Sequence, residues 1–213
     1  MSEHCSHHAS ESQAQAAARS PRYRRVLWLA LLINAAMFAI EIGGGWRSGS
    51  SSLLADAIDF FGDAANYGLA LIVLGMATTW RARAAQLKAW SMGLFGLVVL
   101  GRAGWAAFAG GVPEAATMGL IGMAALVANL TVALLLYAWR DGDANMRSVW
   151  LCTRNDALGN LAVLAAALGV FGTHSAWPDL IVATAMGGLA LSASVSVLRQ
   201  ARAELAHAHP NTH

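Results

Sequence analysis

Residues 50–67 read SSSLLADAIDFFGDAANY, and this stretch decides how the rest of the chain is interpreted. It is apolar enough to enter a membrane, yet it contains three carboxylates, Asp56, Asp59 and Asp63. On a helix, Asp59 and Asp63 lie on one face, because residues four positions apart stack one turn above the other. Ionisable residues inside a bilayer are costly and are usually functional. The stretch therefore predicts a membrane helix that carries a functional site.

A second apolar stretch, residues 150–163, reads WLCTRNDALGNLAV and carries Cys152 and Asp156, which are also four positions apart. Two apolar helices that each present such a pair of anionic side chains could enclose one cation between them. Four ligands suit a tetrahedral ion, and a thiolate among them favours Zn²⁺ or Cd²⁺ over Mg²⁺ or Ca²⁺. The two stretches together predict a four-ligand metal site made of Asp59, Asp63, Cys152 and Asp156.

The composition is typical of a membrane protein. Of the 213 residues, 57% are hydrophobic and 12% are charged, whereas about a quarter of the residues in a soluble domain are charged. The apolar residues fall in long runs, which indicates membrane-spanning helices. The net charge of +2 gives no strong attraction for nucleic acid. We therefore predict an all-α integral membrane bundle of six transmembrane helices, with spans at residues 26–46, 51–79, 89–109, 115–139, 148–171 and 180–198.

Lysine and arginine residues are concentrated in alternate links between the predicted spans, at residues 22–25, 81–88, 140–147 and 199–202. Because positively charged links stay in the cytoplasm, both termini are expected to be cytoplasmic. The predicted domains are a flexible histidine-containing cytoplasmic tail at residues 1–21, a six-helix transmembrane domain at residues 22–200 and a short cytoplasmic tail at residues 201–213.

The amino-terminal tail begins MSEHCSHH and contains His4, Cys5, His7 and His8. Imidazole and thiolate are the preferred ligands of soft divalent metals, so these side chains form a second candidate metal site. The alternative is a disordered tail that contains several histidines without binding metal. The sequence leaves both interpretations open.

Glu41 is an ionisable residue near the end of the first predicted span. Such a residue usually faces the bundle interior or a water-filled cavity. The alternative is that Glu41 lies near the interface and is hydrated there. No intramembrane lysine lies near the paired carboxylates in the sequence, and Arg154 is the nearest positively charged residue.

The paired carboxylates also predict a coupling between metal and protons. An isolated ionised carboxylate is costly in a bilayer, so it takes up a proton or pairs with a cation. A divalent cation that binds must displace such protons, because metal ligands have to be deprotonated. Alternatively, the carboxylates only join one helix to another. A single intramembrane aspartate fits that role better than two pairs on two spans.

The order of these motifs resembles that of the cation diffusion facilitator family of divalent-metal/proton antiporters. The resemblance covers the membrane portion: Asn34 and Glu41 before a glycine-rich helix end, SGSSSLLADA at residues 48–57, the two ligand pairs, and WPD at residues 177–179. Members of the family have six spans and a transport site formed by the second and fifth helices. Cys152 stands where they usually have histidine or aspartate. The resemblance implies the metal ligands Asp59, Asp63, Cys152 and Asp156, with Asn155, Asp56, Glu41 and Asn34 as auxiliary candidates.

The resemblance implies a transporter, not an enzyme. It would export Zn²⁺ or Cd²⁺, with Co²⁺ as a further candidate, from the cytoplasm in exchange for protons. No cofactor is expected beyond the transported ion, and the expected partners are that ion, protons and the lipid bilayer, with no nucleic acid. The expected location is the inner (plasma) membrane of a bacterium. The cytosolic domain that many members carry is expected to be absent here, so any homodimer is expected to form through the membrane helices.

Two other functions fit part of the pattern. An intramembrane aspartyl protease uses two aspartates on neighbouring spans, one in a Gly-x-Gly-Asp setting. Residues 60–63 read FFGD and have only the second glycine, and such a mechanism would leave Cys152 and Asp59 unused. A non-transporting metal-binding membrane protein would use the histidine-containing tail as its working part. Counterflow of metal and protons across a vesicle membrane distinguishes the transporter from both alternatives.

Overall fold

The computed structural model describes residues 20–72, 78–139 and 144–208, with side chains described except at residues 78–82, 139, 144–155, 204 and 206–208. Every long element in these ranges is an α-helix, which confirms the predicted all-α bundle. A short 3₁₀ helix, Tyr137–Trp139, follows the fourth helix. The helices are α1 (Pro21–Ser48), α2 (Ser51–Ile72), α3 (Thr78–Ala109), α4 (Ala115–Leu136), α5 (Ala144–Thr173) and α6 (Trp177–Ala208).

Five of the described helices are long and apolar enough to cross a membrane. The qualifying segments belong to α1, α3, α4, α5 and α6, and they are Pro21–Ser48, Arg83–Ala109, Ala115–Leu136, Asp156–Thr173 and Trp177–Ala203. The remaining helix, α2, has 22 residues, which gives it a length of about 33 Å, enough to cross the hydrocarbon core. α2 is not among the five apolar helices because it contains three carboxylates. α2 thus combines the length of a span with the polar groups of a site.

The helix ends differ from those predicted by hydropathy. The second predicted span, residues 51–79, is wrong at its end, because Thr78 already belongs to α3. α3 begins at Thr78 although the predicted span began at residue 89, and α6 continues to Ala208, past the predicted end at residue 198. Arginine, lysine, glutamine and alanine favour a helix about as well as leucine does. The helices therefore continue beyond the apolar runs on which the prediction rested.

α2 lies inside the bundle. Every residue from 51 to 58 is buried, and α2 packs against α1, α3, α5 and α6. The outer faces of the other helices carry large exposed apolar side chains, among them Trp28, Leu120, Leu168 and Leu189. An apolar outer surface around a helix with buried carboxylates is the arrangement expected in lipid. The fold thus shields the polar side of α2 from the bilayer.

A tight turn between α1 and α2 fixes where α2 begins. Gly49 ends α1 with a φ of 75°, a left-handed conformation that glycine adopts at little cost. Ser50 then caps α2, because its Oγ accepts a hydrogen bond from the Leu53 N–H at 3.1 Å. The N–H of Glu114, just before α4, donates to the Ser48 carbonyl at 2.9 Å. The turn is thereby joined to α4 as well.

Candidate metal site between α2 and α5

The predicted carboxylates lie near one another where α2 and α5 pack together. The carboxyl group of Asp156 on α5 interacts with that of Asp63 on α2, and it also interacts with that of Asp59. Asp63 is buried, while Asp59 and Asp156 are partly buried. One Asp156 oxygen, Oδ2, has no hydrogen-bond partner among the described residues. The structure therefore brings three of the four predicted ligands to one helix interface.

The three carboxylates adjoin one another without converging on one point. Among the described side chains, no three His, Cys, Asp or Glu groups are close enough together to hold a metal ion at once. A metal ion bound at this interface would therefore draw these side chains closer together, or would use the side chain of Cys152.

Cys152 and Asn155 belong to α5 by backbone, but their side chains lie outside the described residues. Helical spacing puts Cys152 one turn before Asp156, on the same side of α5. The candidate ligands of the amino-terminal tail also lie outside the described residues; they are His4, Cys5, His7 and His8. These positions remain predictions from the sequence.

Gly159 makes the close approach of α5 to α2 possible. A Cβ atom at this position would lie 3.8 Å from Asp56 Oδ1, 4.0 Å from Asp59 Oδ2 and 3.4 Å from the Met186 Cε. The two carboxyl groups of α2 thus face the backbone of α5 across a gap that only a small residue leaves open. A role for Gly159 was not predicted from the sequence. Its position three residues after Asp156 was the available signal.

Tyr67 supports the site from within α2. Its hydroxyl donates a hydrogen bond to Asp63 Oδ2 at 3.0 Å, and the tyrosine side chain is buried. This contact orients the Asp63 carboxylate. Sequence reasoning missed Tyr67, although it stands four positions after Asp63 and so shares its helix face.

Glu41 faces the interior, which decides between the two alternatives for this residue. Its side chain is 0% exposed, and that of Asp56 is 1% exposed. The two carboxyl groups interact with each other, and Glu41 also interacts with Asp59. Neither Glu41 oxygen, nor Asp56 Oδ2, has a hydrogen-bond partner within the described part of the chain. Glu41 and Asp56 therefore form a buried acidic pair beside Asp59.

Asn34, the remaining auxiliary candidate, lies about two turns before Glu41 on α1. It is fully buried, and its Nδ2 donates to the Ala30 carbonyl at 2.8 Å. Its Oδ1 has no hydrogen-bond partner among the described residues. A buried amide oxygen without a donor is costly, so this atom could accept a hydrogen bond from a bound water or a hydrated ion.

Lys88 of α3 lies against α2, a contact that was not predicted from the sequence. Its Nζ donates a hydrogen bond to Asn66 Oδ1. A Cβ atom at Gly62 would lie 3.9 Å from the Lys88 Cε and 3.2 Å from the Met92 Cε. Asn66 follows Asp63 by three positions. The positively charged ammonium group of Lys88 therefore lies beside the turn of α2 that follows Asp63.

Comparison with known proteins gives two findings. A family model described as "Cation efflux transmembrane domain" matches residues 27–206. The protein named "Zinc transporter ZitB" from Pectobacterium atrosepticum is 28% identical over 202 residues. That alignment covers 87% of this chain and 62% of the relative. This chain therefore spans less than two thirds of the length of that relative.

Proposed function

Because the chain belongs to the cation efflux family of integral membrane proteins, we propose that it exports a divalent transition-metal cation from the cytoplasm. The observation that carries the proposal is the packing of α5 against α2, which puts Asp156 within electrostatic range of Asp59 and Asp63. Three acidic side chains on two membrane helices are costly unless they bind protons or a cation. Cys152 is the fourth proposed ligand.

Zn²⁺ and Cd²⁺ are the proposed cargo, and Co²⁺ is a further candidate. Carboxylates alone would suit hard ions such as Mg²⁺, whereas a thiolate favours softer metals. The name of the relative, a zinc transporter, agrees with this choice. Asn155, Asp56, Glu41 and Asn34 are proposed to assist at or beside the site.

Protons are the proposed counter-ions. The carboxylates of the empty site carry protons, and a metal ion can bind only as those protons leave. Metal binding therefore releases protons, and a lower pH on one side of the membrane favours metal release on that side. Repeated exposure of the site to the two sides then couples metal export to proton entry.

The proposed setting is the inner membrane of a bacterium, with both termini in the cytoplasm. Residues 1–21 and 201–213 are proposed as cytoplasmic tails and residues 22–200 as the transport domain. The tail side chains are proposed to concentrate metal at the cytoplasmic entrance to the transport site; they are those of His4, Cys5, His7 and His8. Any homodimer is proposed to form through the membrane helices.

The test is counterflow in vesicles that contain the purified protein and a pH-sensitive dye. Zn²⁺, Cd²⁺, Co²⁺ and Mn²⁺ are added outside, and metal uptake and internal pH are recorded together. The proposal predicts uptake of Zn²⁺ and Cd²⁺ with protons moving in the opposite direction, and no flux in protein-free vesicles. Metal binding without flux would favour the non-transporting metal-binding protein. Cleavage of a peptide substrate without flux would favour the aspartyl protease.

A further inference from the structure

Asp179, at the start of α6, is joined to the start of α2. Its side chain is 0% exposed and accepts four hydrogen bonds. The hydroxyls of Ser50 and Ser52 donate to Oδ1 at 2.7 and 2.6 Å, and the Ser52 N–H donates to the same oxygen at 3.0 Å. The Ser51 N–H donates to Oδ2 at 2.8 Å. All four groups are donors toward the carboxylate, as an ionised acceptor requires.

The position of this carboxylate also has an electrostatic reason. α2 and α6 begin at the same end of the bundle and run in the same direction, because Asp179 lies at the start of α2 and Met186 lies at the level of Asp59. Two adjacent helix N-termini each carry about half a positive charge and repel one another. Asp179 belongs to the first turn of α6 and caps α2, so one negative charge stabilises both ends.

The same contact reaches α5, the second helix of the candidate site. Only residues 174–176 separate the end of α5 from the start of α6. Beside this link, α5 and α6 are in tight contact, since a Cβ atom at Gly169 would lie 2.8 Å from the Pro178 Cβ. Asp179 therefore ties the start of α2 to the tip of the α5–α6 hairpin.

We propose that Asp179 is a positioning residue for the metal site. It sets how far α2 is displaced along its axis relative to α5, and so holds Asp59 and Asp63 opposite Asp156. Asp59 lies seven residues after Ser52, about 10 Å along the helix, so Asp179 does not touch the ion. A small axial shift at the tied end is carried along the rigid helix to the ligands. This inference rests on the proposed function.

The test compares metal binding by the wild type, Asp179→Asn and Glu114→Gln in detergent. Glu114 is a matched control: it is an exposed carboxylate that accepts a hydrogen bond from Thr117 Oγ1 within its own helix start. Each protein is titrated with Zn²⁺ for affinity and number of ions bound. Each is also titrated with Co²⁺, whose absorption spectrum reports coordination geometry. Thermal unfolding is measured in parallel.

Positioning and stabilisation give different results. Asp179→Asn should bind the full number of ions with about tenfold weaker affinity, as expected when hydrogen bonds to a charged group are lost, and with an altered Co²⁺ spectrum. Glu114→Gln should match the wild type. A purely stabilising role would leave the affinity and the spectrum of the folded fraction unchanged and would lower only the unfolding temperature. That result would overturn the inference.

Ser52→Ala keeps the test decisive if Asp179→Asn does not fold. It removes one donor and leaves both backbone N–H donors, and the expected loss of affinity is about threefold. Where both variants fold, their effects should not add, because they act through one contact. Unchanged Zn²⁺ affinity in a folded Ser52→Ala protein would count against the inference, and so would effects of the two variants that add fully in the double variant. A wild type that binds none of the ions would instead overturn the proposed function, and the inference with it.

Discussion

Tyr67 donates its hydroxyl hydrogen to Asp63 Oδ2 at 3.0 Å, one turn along the same helix. Both side chains are buried. The contact fixes the orientation of a proposed ligand without needing any other helix. Groups that orient metal ligands in this way strongly affect metal affinity.

Tyr67→Phe should therefore weaken Zn²⁺ binding by about tenfold, because the Asp63 carboxylate loses a donor that holds its orientation. The ring remains, so packing against α1 should be retained. Zn²⁺ affinity and the concentration dependence of flux are the measurements. Unchanged affinity in a well-folded Tyr67→Phe protein would remove Tyr67 from the account of the site.

Gly159 should tolerate only a very small side chain. In Gly159→Ala, the new methyl group would meet its neighbours at 3.4 Å or more, which is ordinary contact, so transport should be largely retained. Gly159→Leu should abolish transport, because the larger side chain would fill the space beside Asp56 and Asp59. The measurement is Zn²⁺ flux at equal amounts of inserted protein.

Gly172→Leu is the control for this pair. Gly172 lies on the same helix, and nothing lies within 4 Å of the position where its Cβ would stand. This variant should transport normally. If Gly159→Leu transports as well as Gly172→Leu does, the ion does not pass the face of α5 that contains Gly159.

Cys152 should determine how fast the protein transports Cd²⁺ relative to Zn²⁺. Thiolate favours Cd²⁺ and Zn²⁺, and imidazole also suits Zn²⁺. Cys152→His should therefore keep Zn²⁺ transport and lower Cd²⁺ flux relative to Zn²⁺ flux, whereas Cys152→Ser should impair both. The Cd²⁺/Zn²⁺ flux ratio in the wild type and the two variants is the measurement. Wild-type rates and ratio in Cys152→Ser would mean that Asn155 or water, not Cys152, is the fourth ligand.

The carboxylates at the helix interface could be predicted from the sequence because helical spacing is a local property. The four-residue separation of Asp59 and Asp63 is enough to put them on one face of a helix. Long apolar runs likewise indicate the number of membrane helices. The position of Asp156 beside α2 was predicted only by assuming that the two ligand pairs form one site. In the structure, the Asp156 carboxyl group interacts with those of Asp59 and Asp63.

The contacts that hold the site in place could not be predicted in this way. Asp179 binds residues that lie 127 to 129 positions away in the sequence, and nothing local in the WPD motif identifies them. Lys88 was interpreted only as a charge outside the membrane, whereas its long side chain reaches Asn66 on α2. Helix ends were misjudged because hydropathy reports the apolar run and not the helix.

The central claim is that the ion is carried by carboxylates of α2 and α5. The most direct measurement is Zn²⁺ flux into vesicles by Asp63→Asn and Asp156→Asn, with Glu114→Gln as the control carboxylate and with insertion checked for each protein. Each asparagine variant removes one anionic ligand and keeps the size of the side chain. The account predicts no flux in either aspartate variant and normal flux in Glu114→Gln. Normal Zn²⁺ flux in well-inserted Asp63→Asn and Asp156→Asn would contradict it.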